Sequence, residues 1–181
     1  SAADIVEAFG VDRDQLEVVH NGVDVASHRF TPAPGDYLGY IGRANAQKGP
    51  RQAIEVARRL GMRLRMAVKV NEPYEHDYYA AHIAPAASRG EVEIVQIASH
   101  EEKCALLGGA RVVLFPIAWP EPFGLVPVEA NACGTPVVAF AEGAMPEVVA
   151  HGVSGILVPG GDLDGFAAAV ATAAELDRAA C

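Results

Sequence analysis

Two loops in this 181-residue chain carry residue types whose spacing suits an anionic, hydroxyl-rich ligand. The first reads Gly42-Arg43-Ala44-Asn45-Ala46-Gln47-Lys48-Gly49-Pro50. Gly42 permits tight backbone geometry. Arg43 can grip phosphate oxygens through two parallel hydrogen bonds, and Lys48 adds a compact point charge. A helix opening at Pro50 adds partial positive charge. The competing reading is a solvated loop with two surface cations.

The second loop is Trp119-Pro120-Glu121-Pro122-Phe123-Gly124-Leu125, running into a helix that carries Pro127 in its first turn and Glu129 beyond it. Free backbone N–H groups at Phe123, Gly124 and Leu125 form an anion site at the helix start. Glu121 and Glu129 suit hydroxyl groups on either side of that anion, because carboxylates accept hydrogen bonds from sugars well. Either glutamate alone reads as a surface or capping group. The glycine fingerprints of P-loops and dinucleotide folds are absent after the expected strands, which disfavours a nicotinamide-dependent dehydrogenase.

Both loops need a scaffold that presents strand ends. Short apolar runs alternate with helical stretches, giving expected strands at Glu17–His20, Tyr37–Ile41, Leu64–Val70, Glu91–Ile97, Val112–Phe115, Val137–Phe140 and Ile156–Val158. Expected helices are Arg51–Leu60 after Pro50, Tyr74–Ile83 broken by Pro85, His100–Leu107 behind a Ser99/Glu102 capping box, and Leu163–Arg178 behind Asp162. Ser1–Phe9 reads as a further short helix. The alternation predicts a single Rossmann-like α/β domain with a doubly wound, mostly parallel sheet whose ligands sit outside the carboxyl strand ends.

The net charge of −9 argues against broad nucleic-acid or anionic-membrane binding. Three cysteines without close pairs argue against a disulfide framework, and no apolar run is long enough to cross a bilayer; a cytoplasmic protein is expected. Six histidines show no His-x-x-x-His pair on an expected helix, so no metal is expected. Cys133 reads as a small buried residue. Trp119 suits either stacking on a sugar or packing on its own domain. Lys69 suits either a phosphate contact or a strand end, and Glu147 either a helix-dipole role or a donor contact.

The second loop belongs to Pro-Glu-Pro-Phe-Gly-Leu-Val-Pro-Val-Glu-Ala-Asn-Ala-Cys-Gly-Thr-Pro-Val-Val, with Glu121 and Glu129 in a Glu-x7-Glu arrangement. This resembles the signature of the family 4 retaining glycosyltransferases, which have the two-domain GT-B fold. Val18–Asp24, Gly42–Gly49, Gly143–Val149 and His151–Val158 resemble further family segments in the same order. The resemblance implies that Arg43 and Lys48 bind the diphosphate of a UDP-, GDP- or ADP-sugar, with Gly42 and the Pro122–Leu125 segment forming its seat. It implies that Glu129 takes the ribose hydroxyls, that Glu121 orients the transferred sugar, and that Ile97 borders the base. No metal or other cofactor is implied. Two segments depart from the family pattern, Lys69-Val70-Asn71-Glu72-Pro73 and Ile97-Ala98-Ser99, and both bear on base selection. The resemblance makes residues 1–181 the donor-binding C-terminal half, with an N-terminal acceptor domain as its missing partner. Alternatives are a non-catalytic nucleotide-sugar-binding module, a subunit of a split enzyme, and an epimerase acting on nucleotide sugars.

Overall fold

A computed structural model describes residues 10, 12–17, 19–97 and 99–181. The Ser1–Phe9 helix expected from sequence lies outside them. Six strands form one parallel sheet: β1 (Tyr37–Arg43), β2 (Arg63–Lys69), β3 (Glu93–Ile94), β4 (Val112–Phe115), β5 (Val137–Phe140) and β6 (Gly155–Val158). Their spatial order is β3-β2-β1-β4-β5-β6, so the winding direction reverses between β1 and β4. That reversal opens a crevice beyond the carboxyl ends of the two strands.

The helices are α1 (Pro50–Leu60), α2 (Pro73–Tyr78), α3 (Ala84–Ser88), α4 (His100–Gly108), α5 (Leu125–Ala132), α6 (Met145–Val148) and α7 (Leu163–Ala173). Because strand side chains alternate between faces, the sheet builds two cores. Leu38, Tyr40, Leu64, Met66, Leu114 and Val138 pack against Ala53, Val56, Phe166 and Val170 of α1 and α7. Tyr37, Val113, Phe115, Val137 and Ala139 pack against Cys104 and Leu107 of α4, Ala130 of α5 and Cys133 just beyond it. Covering on both faces explains the continuous apolar runs of β4 and β5, every residue of which is buried.

Four expectations need correction. Glu17, Val19 and His20 form no strand; Val19 is 84% exposed, so this short run buries too little apolar surface to hold a place in the sheet. The Glu91–Ile97 strand shrinks to Glu93–Ile94, after which the chain leaves β2 and turns along the crevice. Pro85 does not end the helical stretch. A π-helical turn, Tyr79–Ile83, passes the chain from α2 into α3 and places Pro85 in the first turn of α3, where its missing N–H costs nothing.

The last helix also stops at Ala173, short of Arg178. The Arg178 guanidinium is buried and donates to the carbonyls of Thr31, Gly108 and Ala110 and to the Thr135 hydroxyl, at 2.6–3.1 Å. It thereby ties the end of the chain to the turn between α4 and β4.

Candidate functional site

A cleft of about 960 Å³ opens where the winding reverses. Its wall includes Gly42, Arg43, Lys48, Ile97, Glu121, Pro122, Phe123, Gly124 and Leu125, so nine of the ten expected site residues share one space.

The first loop is fixed from within. Asn45 accepts a hydrogen bond from the Lys48 amide at 3.0 Å, capping a 3-10 turn at Ala46–Lys48, and the Tyr40 hydroxyl donates to the Lys48 carbonyl at 3.0 Å. A β-carbon on Gly42 would lie 2.5 Å from that hydroxyl. Gly49 has φ +69°, and a β-carbon there would collide with the Pro116 carbonyl, on the stretch that leads from β4 into the second loop. The Ala118 amide also donates to the Gln47 carbonyl at 3.0 Å. Glycine at position 49 therefore lets the two cleft-facing loops touch through backbone.

Arg43 is aimed by a residue that sequence reasoning missed. Its Nε donates to Oε1 of Glu75 at 2.6 Å, and the Glu75 side chain is fully buried. The same carboxylate accepts the amides of Asn71 and Glu72 at 2.9 and 3.2 Å. Those amides, that of Asn71 foremost, and the Arg43 guanidinium hold the Glu75 pKa down to about 2. Glu72 and Glu75 form a capping box at the start of α2, and the Glu72-Pro73-Tyr74-Glu75 spacing is the signal that would have found it. Nη2 of Arg43 meets the Tyr74 hydroxyl at 3.4 Å, and the residue so held lines the cleft.

Lys48 donates to Oε2 of Glu121 at 2.5 Å, and the same oxygen accepts the Trp119 indole N–H at 2.9 Å. Lys48 lies 5.1 Å from the Trp119 ring centroid, a cation–π distance. Trp119 thus packs on its own domain and holds the Lys48–Glu121 pair. Gly143, at φ +57°, leaves room for the backbone of Glu121, whose carbonyl accepts the Ala144 amide at 2.9 Å.

The third element of the cleft is the start of α5. Gly124 has φ +89° and gives the helix no side-chain cap, so the first amides of α5 are free to meet an anion beside Arg43 and Lys48. A side chain at 124 would strike Met145.

Glu129 is the expected residue that does not itself line the cleft. Its Oε1 accepts from Nζ of Lys103 at 2.6 Å, and it is Lys103, from α4, that faces the space. Lys69 stands at the end of β2 and lines the cleft as well. Glu147 is exposed on α6 and does not reach it. Cys133 is fully buried, and burial beside the Cys104 thiol pushes its pKa up to about 12, which removes it as a nucleophile.

Residues 29–180 match the family model described as "Glycosyl transferases group 1". The chain belongs to this family. Among curated group 1 relatives, the D-inositol 3-phosphate glycosyltransferase of Pseudarthrobacter chlorophenolicus is 32% identical over 179 residues, covering 88% of this chain and 42% of its own length. The glycogen synthase of Mycobacterium tuberculosis is 34% identical over 178 residues, covering 92% of this chain and 42% of its own. The chain thus spans less than half the length of these relatives. Among solved structures, Anabaena HepE in complex with UDP superposes with a TM-score of 0.84 at 24% identity, over 99% of this chain and 54% of that one. The C-terminal domain of a group 1 protein from Francisella tularensis superposes with a TM-score of 0.69 at 20% identity, over 87% of this chain and 95% of that one. At these identities the superpositions establish the fold: this group 1 chain has the architecture of one Rossmann-like half of a GT-B protein. No described helix is long and apolar enough to cross a membrane.

Proposed function

We propose that this chain is the donor-binding half of a family 4, retaining glycosyltransferase, and that its cleft holds a UDP-, GDP- or ADP-sugar. The observation that carries the proposal is convergence: Arg43, Lys48 and the uncapped start of α5 face one cleft at the switch point of the sheet. A diphosphate is an anion of suitable charge and reach for such a seat. The UDP found with Anabaena HepE, a neighbour of the same fold, supports a nucleotide ligand.

In this reading the guanidinium of Arg43, the ammonium of Lys48 and the amides of Gly124 and Leu125 stabilise the leaving diphosphate as negative charge grows on it. These groups supply the electrostatics without a metal ion. Lys48 must trade part of its contact with Glu121 for phosphate oxygens. That exchange frees the Glu121 carboxylate to accept hydroxyl hydrogen bonds from the transferred sugar. Glu129 receives the ribose hydroxyls once Lys103 swings aside or shares them. The acceptor sits on a separate N-terminal domain, in keeping with the 42% of their own length over which the cited relatives align.

Calorimetric titration of the chain with the three classes of nucleotide sugar tests this. Weak binding to one class is expected, with little turnover until the acceptor domain is supplied. No binding to any of them at millimolar concentration would sink the assignment.

A further inference from the structure

Away from the cleft, three metal-ligating side chains meet. His100 and Cys104 stand one turn apart on α4, a His-x-x-x-Cys pair that a search for paired histidines passes over. His28 comes beside them from the segment that follows the 3-10 turn Val25–Ser27. His100 Nε2 lies 3.3 Å from Cys104 Sγ. The two imidazoles meet edge to face with centroids 4.6 Å apart. One donor atom from each residue lies within 4.8 Å of the others.

The protonation of His28 can be read from its partners. The residue is 8% exposed, and Nδ1 lies 2.9 Å from the Asp24 carbonyl oxygen. Ser27 directs its own hydroxyl proton to the same carbonyl at 2.7 Å. A carbonyl only accepts, so Nδ1 carries the proton, and in the neutral ring Nε2 presents a bare lone pair. Among the described residues this buried Nε2 has no hydrogen-bond partner. A neutral imidazole held through one nitrogen by a backbone carbonyl, with the other nitrogen free, is the usual state of a metal-bound histidine.

We propose that His28, His100 and Cys104 bind a divalent ion of the zinc class, clipping the segment that leads into β1 onto α4. Two imidazoles and a thiolate suit that class, and a fourth position remains for water because His100 is exposed. Metal–nitrogen bonds of about 2.0–2.1 Å and metal–sulfur bonds of about 2.3 Å place tetrahedral donors roughly 3.3–3.6 Å apart. His100 and Cys104 stand at that spacing, at 3.3 Å, and the His28 donor, within 4.8 Å of the other two, must close by at most about 1.5 Å. Binding releases the Cys104 thiol proton to water. It also moves the His100 proton to Nδ1, at the cost of a 3.0 Å contact between Nε2 and the Ser27 carbonyl. The consequence reaches the cleft, because Lys103 precedes Cys104 on α4 and Asn21 precedes His28 in the clipped segment, and both line it.

The test is titration of the reduced, metal-stripped chain with Co2+, followed by displacement with Zn2+. One ion per chain and a thiolate-to-cobalt charge-transfer band are expected. His100→Gln alters an exposed residue, so circular dichroism should show a native fold while binding falls by at least about a hundredfold, no less than outer-shell losses. Cys104→Ser should abolish the band, and Cys181→Ser should leave it intact. Absence of stoichiometric uptake by the unaltered chain overturns the proposal. So does a band that survives in folded His100→Gln or disappears in Cys181→Ser.

Discussion

The two walls of the cleft are built on different principles. The wall formed by the loops after β1 and β4 is polar, cross-braced and dependent on glycine: Arg43 rests on buried Glu75, Lys48 on Glu121, and Gly49 packs against the backbone of Pro116. The opposite wall, from the ends of β2 and β3, presents the apolar Val68, Val70, Val95 and Ile97 between Lys69, Asn71 and Gln96, and its outer part follows an edge strand of two residues. Charge recognition demands fixed donors, because a misplaced cation loses most of its advantage to water. Recognition of a flat, weakly polar group demands only a surface of the right shape. The braced wall suits what all nucleotide sugars share, and the apolar wall suits what distinguishes them.

The harshest way to break this contrast is to separate the two braced loops. Gly49→Ala places a side chain at positive φ and drives it into the Pro116 carbonyl, so a loss of about 2–4 kcal/mol of stability is expected from backbone strain and overpacking. Chemical denaturation measures it. Donor affinity should fall with stability, since Lys48 and Pro116–Glu121 would no longer be held in register.

A milder cut removes one cation at a time. Arg43→Ala and Lys48→Ala should each weaken donor binding by about ten- to a hundredfold through lost charge-assisted contacts. The loss should be nearly the same for UDP, GDP and ADP sugars, because the phosphates are common to all three. Calorimetry on the three donors decides it. Loss confined to one base would mean that the braced wall reads more than phosphate.

Glu75 offers a test through pH. Its carboxylate titrates at about 2 in the fold against an ordinary 4.5, so it stabilises the folded protein fully above pH 4.5. That contribution drains away as pH falls toward 2. Glu75→Gln should therefore lower the thermal midpoint by a constant amount above pH 4.5, and the gap from the unaltered chain should narrow below it. A gap that stays constant through that window would show that the charge of Glu75 does not brace Arg43.

The same contrast explains what the sequence made legible. Strands β4 and β5 were readable to the residue because burial on both faces leaves unbroken apolar runs. That the two loops share one cleft was readable because cations, glycines and prolines have few other reasons to stand together after a strand. Glu75 escaped because it lies 32 residues from Arg43, and only the capping-box spacing with Glu72 hinted at its place. Lys103 escaped because its partner, Glu129, comes from another helix 26 residues away. The β3 edge was overestimated because Glu91–Ile97 has the composition of a strand while its neighbour β2 pairs with only two of its residues. Pairing length depends on where the next segment must go, and here it must go along the cleft.

The finest test concerns that edge. Ile97 is half-buried and Gln96 exposed, both on the cleft where the chain leaves β3. If this wall reads the base, Ile97→Ala removes apolar contact from its face, and affinity for the preferred donor should fall by roughly three- to tenfold, as expected for losing one or two buried methylene contacts. Gln96→Ala should change the ranking of uracil, guanine and adenine donors, since its amide can both donate and accept toward a base edge. Neither change touches Arg43, Lys48 or α5, so binding of inorganic pyrophosphate should be unaffected. Equal weakening of pyrophosphate and nucleotide sugars would place these residues on the phosphate side of the site and erase the division between the walls.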